Sequence, residues 1–200
     1  MISNTFWGHH AALFNDCGSG YPVFGQINHK LGIMMEAITR HSLNRAADEA
    51  VQLWALASAQ YPMQHGLIVE VATTSIIEVV SSFALNARRA LEALPPNEKF
   101  PLVQPRWQWV PRSDGEVVST LWDALNRVIH AQKLEVGFEQ LPQQASVIDG
   151  GALVVPYIRA ATDRKKLAFI DPFALSHAFL YRAYPKLVAI QTEKPAGGLH

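Results

Sequence analysis

The chain has 200 residues, with 17 Lys and Arg against 17 Asp and Glu, so its formal net charge is zero; charged residues make up 17% of it and apolar ones 49%. That hydrophobicity excludes a disordered chain, and the charge balance excludes a protein held to nucleic acid by bulk basicity. The single cysteine, Cys17, excludes an internal disulfide and any zinc site built from several thiolates.

The length suits one domain, with or without an appendage. The opening Met1-Ile2-Ser3-Asn4-Thr5 lacks the basic-then-apolar pattern of a secretory leader. The most apolar stretch, 66–84, is interrupted by Glu70, Thr73, Thr74, Ser75 and Glu78, which reads against a membrane span. The expected setting is the cytoplasm.

In chain order, residues 1–40 read as an irregular segment, because Gly8, Gly18, Gly20, Pro22, Gly25 and Gly32 interrupt every apolar stretch; a short helix near 31–39 fits within it. Ser42 then caps a helix running to Gln60, with Leu43, Ala46, Ala47, Ala50, Leu53, Trp54 and Ala57 on its inner face at steps of three and four. A long helix follows from Gly66 to Leu94, closed by Pro95-Pro96, with a first half apolar nearly all round, as in the centre of a bundle. A proline-rich loop covers 95–115. Ser113 or Asp114 caps a third helix over 115–140, with Glu116 in its first turn.

The period then changes. Segments 146–149, 152–159 and 167–171 read as short strands, with Thr162-Asp163-Arg164-Lys165 turning a hairpin. Pro156 cannot donate to a ladder, which predicts an edge strand. A last short helix from Pro172 ends at Pro185. The fold class expected is mostly α: an irregular N-terminal segment over 1–40, a helical bundle over 41–142, and a small C-terminal β-hairpin or sheet with a short helix over 143–200.

Chemistry concentrates on the third helix. At 100° per residue, Val118, Leu121, Leu125, Val128, Ile129 and Val136 fall within about 100° of arc, opposite Asp123, Arg127 and His130, with Asn126 about 60° from Asp123. One reading is a solvated face with an i,i+4 ion pair between Asp123 and Arg127. The other is a polar cleft in which His130 moves protons near neutral pH and Arg127 holds a phosphate by its planar fork.

The segments Phe83-Ala84-Leu85-Asn86-Ala87-Arg88-Arg89-Ala90-Leu91-Glu92 and Leu121-Trp122-Asp123-Ala124-Leu125-Asn126-Arg127-Val128-Ile129-His130-Ala131 resemble the two central helices of HEPN proteins. These are small helical domains of toxin, defence and RNA-processing systems, many of them metal-independent ribonucleases. The resemblance covers about 42–140. It implies a homodimer, an RNA- or nucleotide-directed role, and catalysis by an Arg and a His four to six residues apart. Here the pattern differs: 123–125 are Asp, Ala and Leu, and the nearest arginine, Arg127, has only two residues between it and His130. The catalytic set implied is His130, Arg127 and Asp123. The nucleic-acid contacts are Arg88, Arg89 and Asn126, joined by Trp107 and Trp109, which lie between Arg106 and Arg112 as an aromatic-cation loop suited to single strands. Arg88 and Arg89 also read as helix-end cations, with a partner in Glu92. His9-His10 lack a carboxylate pattern, and neither metal nor cofactor is expected. Two rivals are a non-catalytic interaction or scaffold protein of a defence or toxin–antitoxin type system, and a small-molecule enzyme using Cys17 and the glycine-rich start.

Overall fold

The computed structural model describes residues 23–95, 98–103, 115–163 and 165–193, with side chains described from 37 to 192. The elements are α1 (Val23–Ser58), β1 (Tyr61–Pro62), α2 (Gly66–Leu91), β2 (Glu116–Val117), α3 (Leu121–Ile129), β3 (Lys133–Gln140), β4 (Ala152–Ala161), β5 (Ala168–Ile170), α4 (Pro172–Ala178) and α5 (Tyr184–Glu193). A π-helical turn, Phe179–Ala183, joins α4 to α5. The chain divides into two compact units, Met1–Met35 and Glu36–His200; the described part of the first is the beginning of α1, and all that follows concerns the second.

Two helices supply the first layer. From residue 36 onward α1 buries Leu43, Ala46, Ala50, Leu53 and Ala57, the stripe expected from their spacing. Ser42 is no cap: it lies buried inside α1, which begins at Val23 in place of an irregular segment. Beside it, α2 buries Ile76, Val80, Phe83, Ala84 and Ala87. Its hydroxyls turn back on the helix, Thr73 to the Val69 carbonyl at 2.7 Å and Ser81 to that of Ile77 at 2.7 Å, so a polar sequence survives in an apolar helix. Glu49 of α1, 4% exposed, ties the pair together. It accepts from Ser82 Oγ at 2.5 Å and Asn86 Nδ2 at 3.1 Å, and pairs with Arg45 Nε at 3.1 Å. The start of α2 is not central: Leu67 is 73% and Val71 57% exposed. By length and composition alone α2 is apolar enough to cross a membrane, yet its inner stripe is built into the core.

The fold is α plus a substantial mixed sheet, and the expectation of a helical bundle with a small hairpin is corrected. Five strands form one sheet around β4. Leu153 pairs with both Tyr61 and Gln140, and Ile158 with both Val136 and Ile170, so β3 runs along one edge of β4 while β1 and β5 share the other. β2 adds to β5 in parallel. The sheet draws its strands from both sides of residue 142.

The largest error of sequence reading is the third helix. α3 is nine residues long, capped by Thr120, whose Oγ1 accepts from the Asp123 amide at 3.3 Å. After Ile129 the chain turns at His130, and the Gln132 amide donates to the Ala161 carbonyl at 2.9 Å, opening β3. Lys133, Glu135 and Glu139 alternate with Leu134, Val136 and Phe138, a period of two rather than 3.6. Glu135 lies opposite Arg159 and pairs with it at 2.5 Å. Gly137 is required there, since a Cβ would stand 2.0 Å from the Tyr157 ring.

Two prolines behave differently from expectation. Pro156 lies in the central strand: the register passes from Gly137↔Tyr157 to Glu139↔Val154, so Val155 and Pro156 together face Phe138. This bulge removes the need for a ladder donor at that point. Pro185 does not end the last helix. The π-helical turn before it loosens the spacing, and α5 continues to Glu193 with Pro185 in its first turn. Segment 146–149 forms no strand. Phe83 meets Phe179 edge-to-face with ring centroids 5.2 Å apart, joining α2 to the C-terminal helices across the core.

Candidate functional site

α3 lies with Leu121, Ala124, Leu125 and Val128 in the core. Its outer face carries Trp122, Asp123, Asn126 and, at the C-cap, His130, set roughly 6 Å apart along the axis at each i,i+4 step from 122 to 126 to 130. Two recesses flank this face. One, of about 490 Å³, is lined by Trp122, Thr120, Phe100, Leu91, Leu94 and Pro95 with Arg88, Glu92, Glu98 and Lys99 at its polar parts. The other, of about 470 Å³, is lined by Asn126, Arg127, His130, Gln132, Thr162, Asp163 and Lys165.

Asn126 joins them. Its Oδ1 accepts from Arg88 Nε at 3.2 Å. The Arg88 guanidinium lies 3.7 Å from the centre of the Trp122 ring, and its Nη1 pairs with Glu92 at 2.6 Å. The end of α2 and the outer face of α3 thus pack together, with Arg88 between Trp122, Asn126 and Glu92. Arg89, one position on, is exposed and has no ion-pair partner among the described residues.

Arg127 stands apart from the role given to it. It is 6% exposed. One guanidinium nitrogen pairs with Glu116 of β2, another donates to the Lys166 carbonyl at 2.9 Å, and Nε faces Asp123 Oδ1 at 3.7 Å. Burial lowers its pKa from the usual arginine value. The helical stripe puts Arg127 opposite the core, as a solvated residue or in a polar cleft, and β2 and the β4–β5 turn close over that flank. Asp123 is drawn into the same cluster, meeting Lys165 Nζ at 3.4 Å. His130 is exposed on the rim of the second recess, and its ring has no hydrogen-bond partner among the described residues. His130 and Arg127 share a recess, but the arginine fork is occupied. Trp107, Trp109, Cys17 and His9-His10 lie outside the described residues.

Sequence reasoning missed Trp122 and Lys165, and named Glu92 only as a helix-end partner of the arginines, a pairing it makes with Arg88. Trp122 was within reach: it precedes Asn126 by four residues, the spacing that puts both on one helical face. Lys165 comes from the turn after β4, and only the sheet brings it to Asp123. Among the described residues no three His, Cys, Asp or Glu side chains converge as a metal site. No protein-family model, no curated protein and no solved structure matches the chain.

Proposed function

We propose that the chain is a binding module for a nucleotide or a short single-stranded RNA, taken along the outer face of α3, and that it binds without cleaving. The observation that carries this reading is the Arg88–Trp122–Asn126 arrangement. Arg88, held by Asn126 at 3.2 Å and lying 3.7 Å over the Trp122 ring, forms a preorganised cation–π pair, and the indole is 40% exposed at the recess, where an unpaired base can stack on its uncovered part. The second recess offers Lys165 and His130 to a phosphate further along. With net charge zero, recognition rests on stacking more than on a long electrostatic track, which suits a short ligand. Arg127 argues against a ribonuclease: its fork is spent on Glu116 and the Lys166 carbonyl and is not available to a phosphorane. The reading is complete within one chain and makes no use of a two-fold partner.

The test is fluorescence anisotropy with a labelled hexanucleotide RNA in chelator. Micromolar binding is expected, lowered by about tenfold in Trp122→Ala, because base–aromatic stacking is worth roughly 1–3 kcal/mol. The RNA is expected to stay intact. Turnover that disappears in His130→Ala would reinstate catalysis, and binding unaffected by Trp122→Ala would remove the α3 face from the account.

The interaction-protein reading finds its own support in the exposed start of α2, where Leu67, Ile68 and Val71 stand on one side of the helix at 44% exposure or more. It predicts a partner or self-association sensitive to Leu67→Glu and indifferent to Trp122→Ala.

A further inference from the structure

The recess beside Trp122 has a polar lining that includes two carboxylates, Glu92 and Glu98. Glu98 is taken up by Lys186 of α5. Glu92 is held at one oxygen only, by Arg88 Nη1 at 2.6 Å, and its side chain is 61% exposed. A carboxylate accepts at about four lone-pair positions and donates at none. Oε2 and a second lone pair on Oε1 are therefore open toward a ligand. The same Arg88 that lies over Trp122 holds Glu92, so one side chain positions both the stacking surface and the acceptor.

An acceptor-only edge next to an aromatic face discriminates among bases. Guanine presents two adjacent donors there, N1–H and the N2 amino group. Adenine sets its N1 acceptor beside the N6 donor, cytosine sets N3 beside N4, and uracil places its single N3–H between two carbonyls. A carboxylate satisfied by guanine meets a repelling lone pair on each of the others. Resting on the nucleotide reading above, we propose that this recess is a guanine site: the base lies beside Trp122, its Watson–Crick edge is on Glu92, and its phosphate points toward the exposed Lys99, which lines the same recess.

The experiment is calorimetric binding of the four nucleoside 5′-monophosphates to the full chain and to Glu92→Gln. The variant exchanges one exposed residue of good helix propensity for another, and circular dichroism checks its fold. GMP is expected to bind about tenfold more tightly than AMP, CMP or UMP, the discrimination typical of one two-point contact. Glu92→Gln is expected to abolish the preference, bringing GMP down to or below the AMP level, because the amide sets a donor against one of guanine's two donors and matches adenine's donor–acceptor edge. Equal binding of all four, or a GMP preference that survives Glu92→Gln, overturns the guanine assignment and leaves nucleotide binding standing. Failure of all four to bind overturns both.

Discussion

Asp171 is expected to take roughly 3 kcal/mol from the stability of the folded chain as the pH rises from about 4 to about 7. It caps α4, accepting from the Ala174 amide at 3.0 Å, and is only 5% exposed. Burial is the leading cause that raises its pKa from 3.8 to about 6, outweighing the two backbone hydrogen bonds that lower it. Oδ2 is buried with no hydrogen-bond partner among the described residues. Because the folded pKa exceeds the unfolded one, the native state keeps a proton that the unfolded chain has released. Stability therefore declines through the window between 3.8 and about 6, and the full cost applies above it. Asp171→Asn keeps the cap acceptor and removes the charge. Urea unfolding at a series of pH values is expected to show a flatter profile in the variant and higher stability than the parent at pH 7. Parallel profiles for the two proteins would refute this account of Asp171.

Arg127→Ala is expected to cost about 2–3 kcal/mol, or a fall in Tm of roughly 5–10 °C for a chain of this size. The side chain is 7% exposed, while its partners Glu116 and Asp123 are 45% and 40% exposed. Those carboxylates remain hydrated after the change, which keeps the loss below that of a fully buried pair. What disappears is the packed stem and the bond to the Lys166 carbonyl, which together fasten α3 to β2 and to the β4–β5 turn. Lys cannot serve the same directions with one ammonium, so Arg127→Lys is expected to recover only part of the loss. Thermal unfolding of both variants checks this. A variant as stable as the parent would show that Arg127 is not a structural tie and would return it to the list of groups free to act on a ligand.

How far the sequence shows this fold depends on the range of the forces involved. α2 was legible because 26 residues of apolar stripe and two following prolines carry a local signal, and its observed start coincides with the expected one at Gly66. The inner face of α1 and the β4–β5 hairpin followed from spacing in the same way. The break between α3 and β3 was not legible locally: no proline or glycine follows Ile129 before Gly137, and the helix gives way because β4 offers a ladder from Ala161 downward. Pro156 and Pro185 were read by the usual prohibitions, which a bulge and a π-helical turn each relieve. At the site, the polar stripe of α3 was visible, and its division was not. Hydrophobic period separates core from non-core; it does not show that Arg127 is roofed by Glu116 and Lys166 while His130, three residues on, stays open.

Heteronuclear NMR titration of the full chain with GMP tests the central claim most directly. The account predicts that the Trp122 indole N–H and the Asn126 side-chain amide move together and saturably, with the Arg88 Nε–H following them. Shifts confined to residues away from α3 and the end of α2, or none at saturating nucleotide, would contradict it.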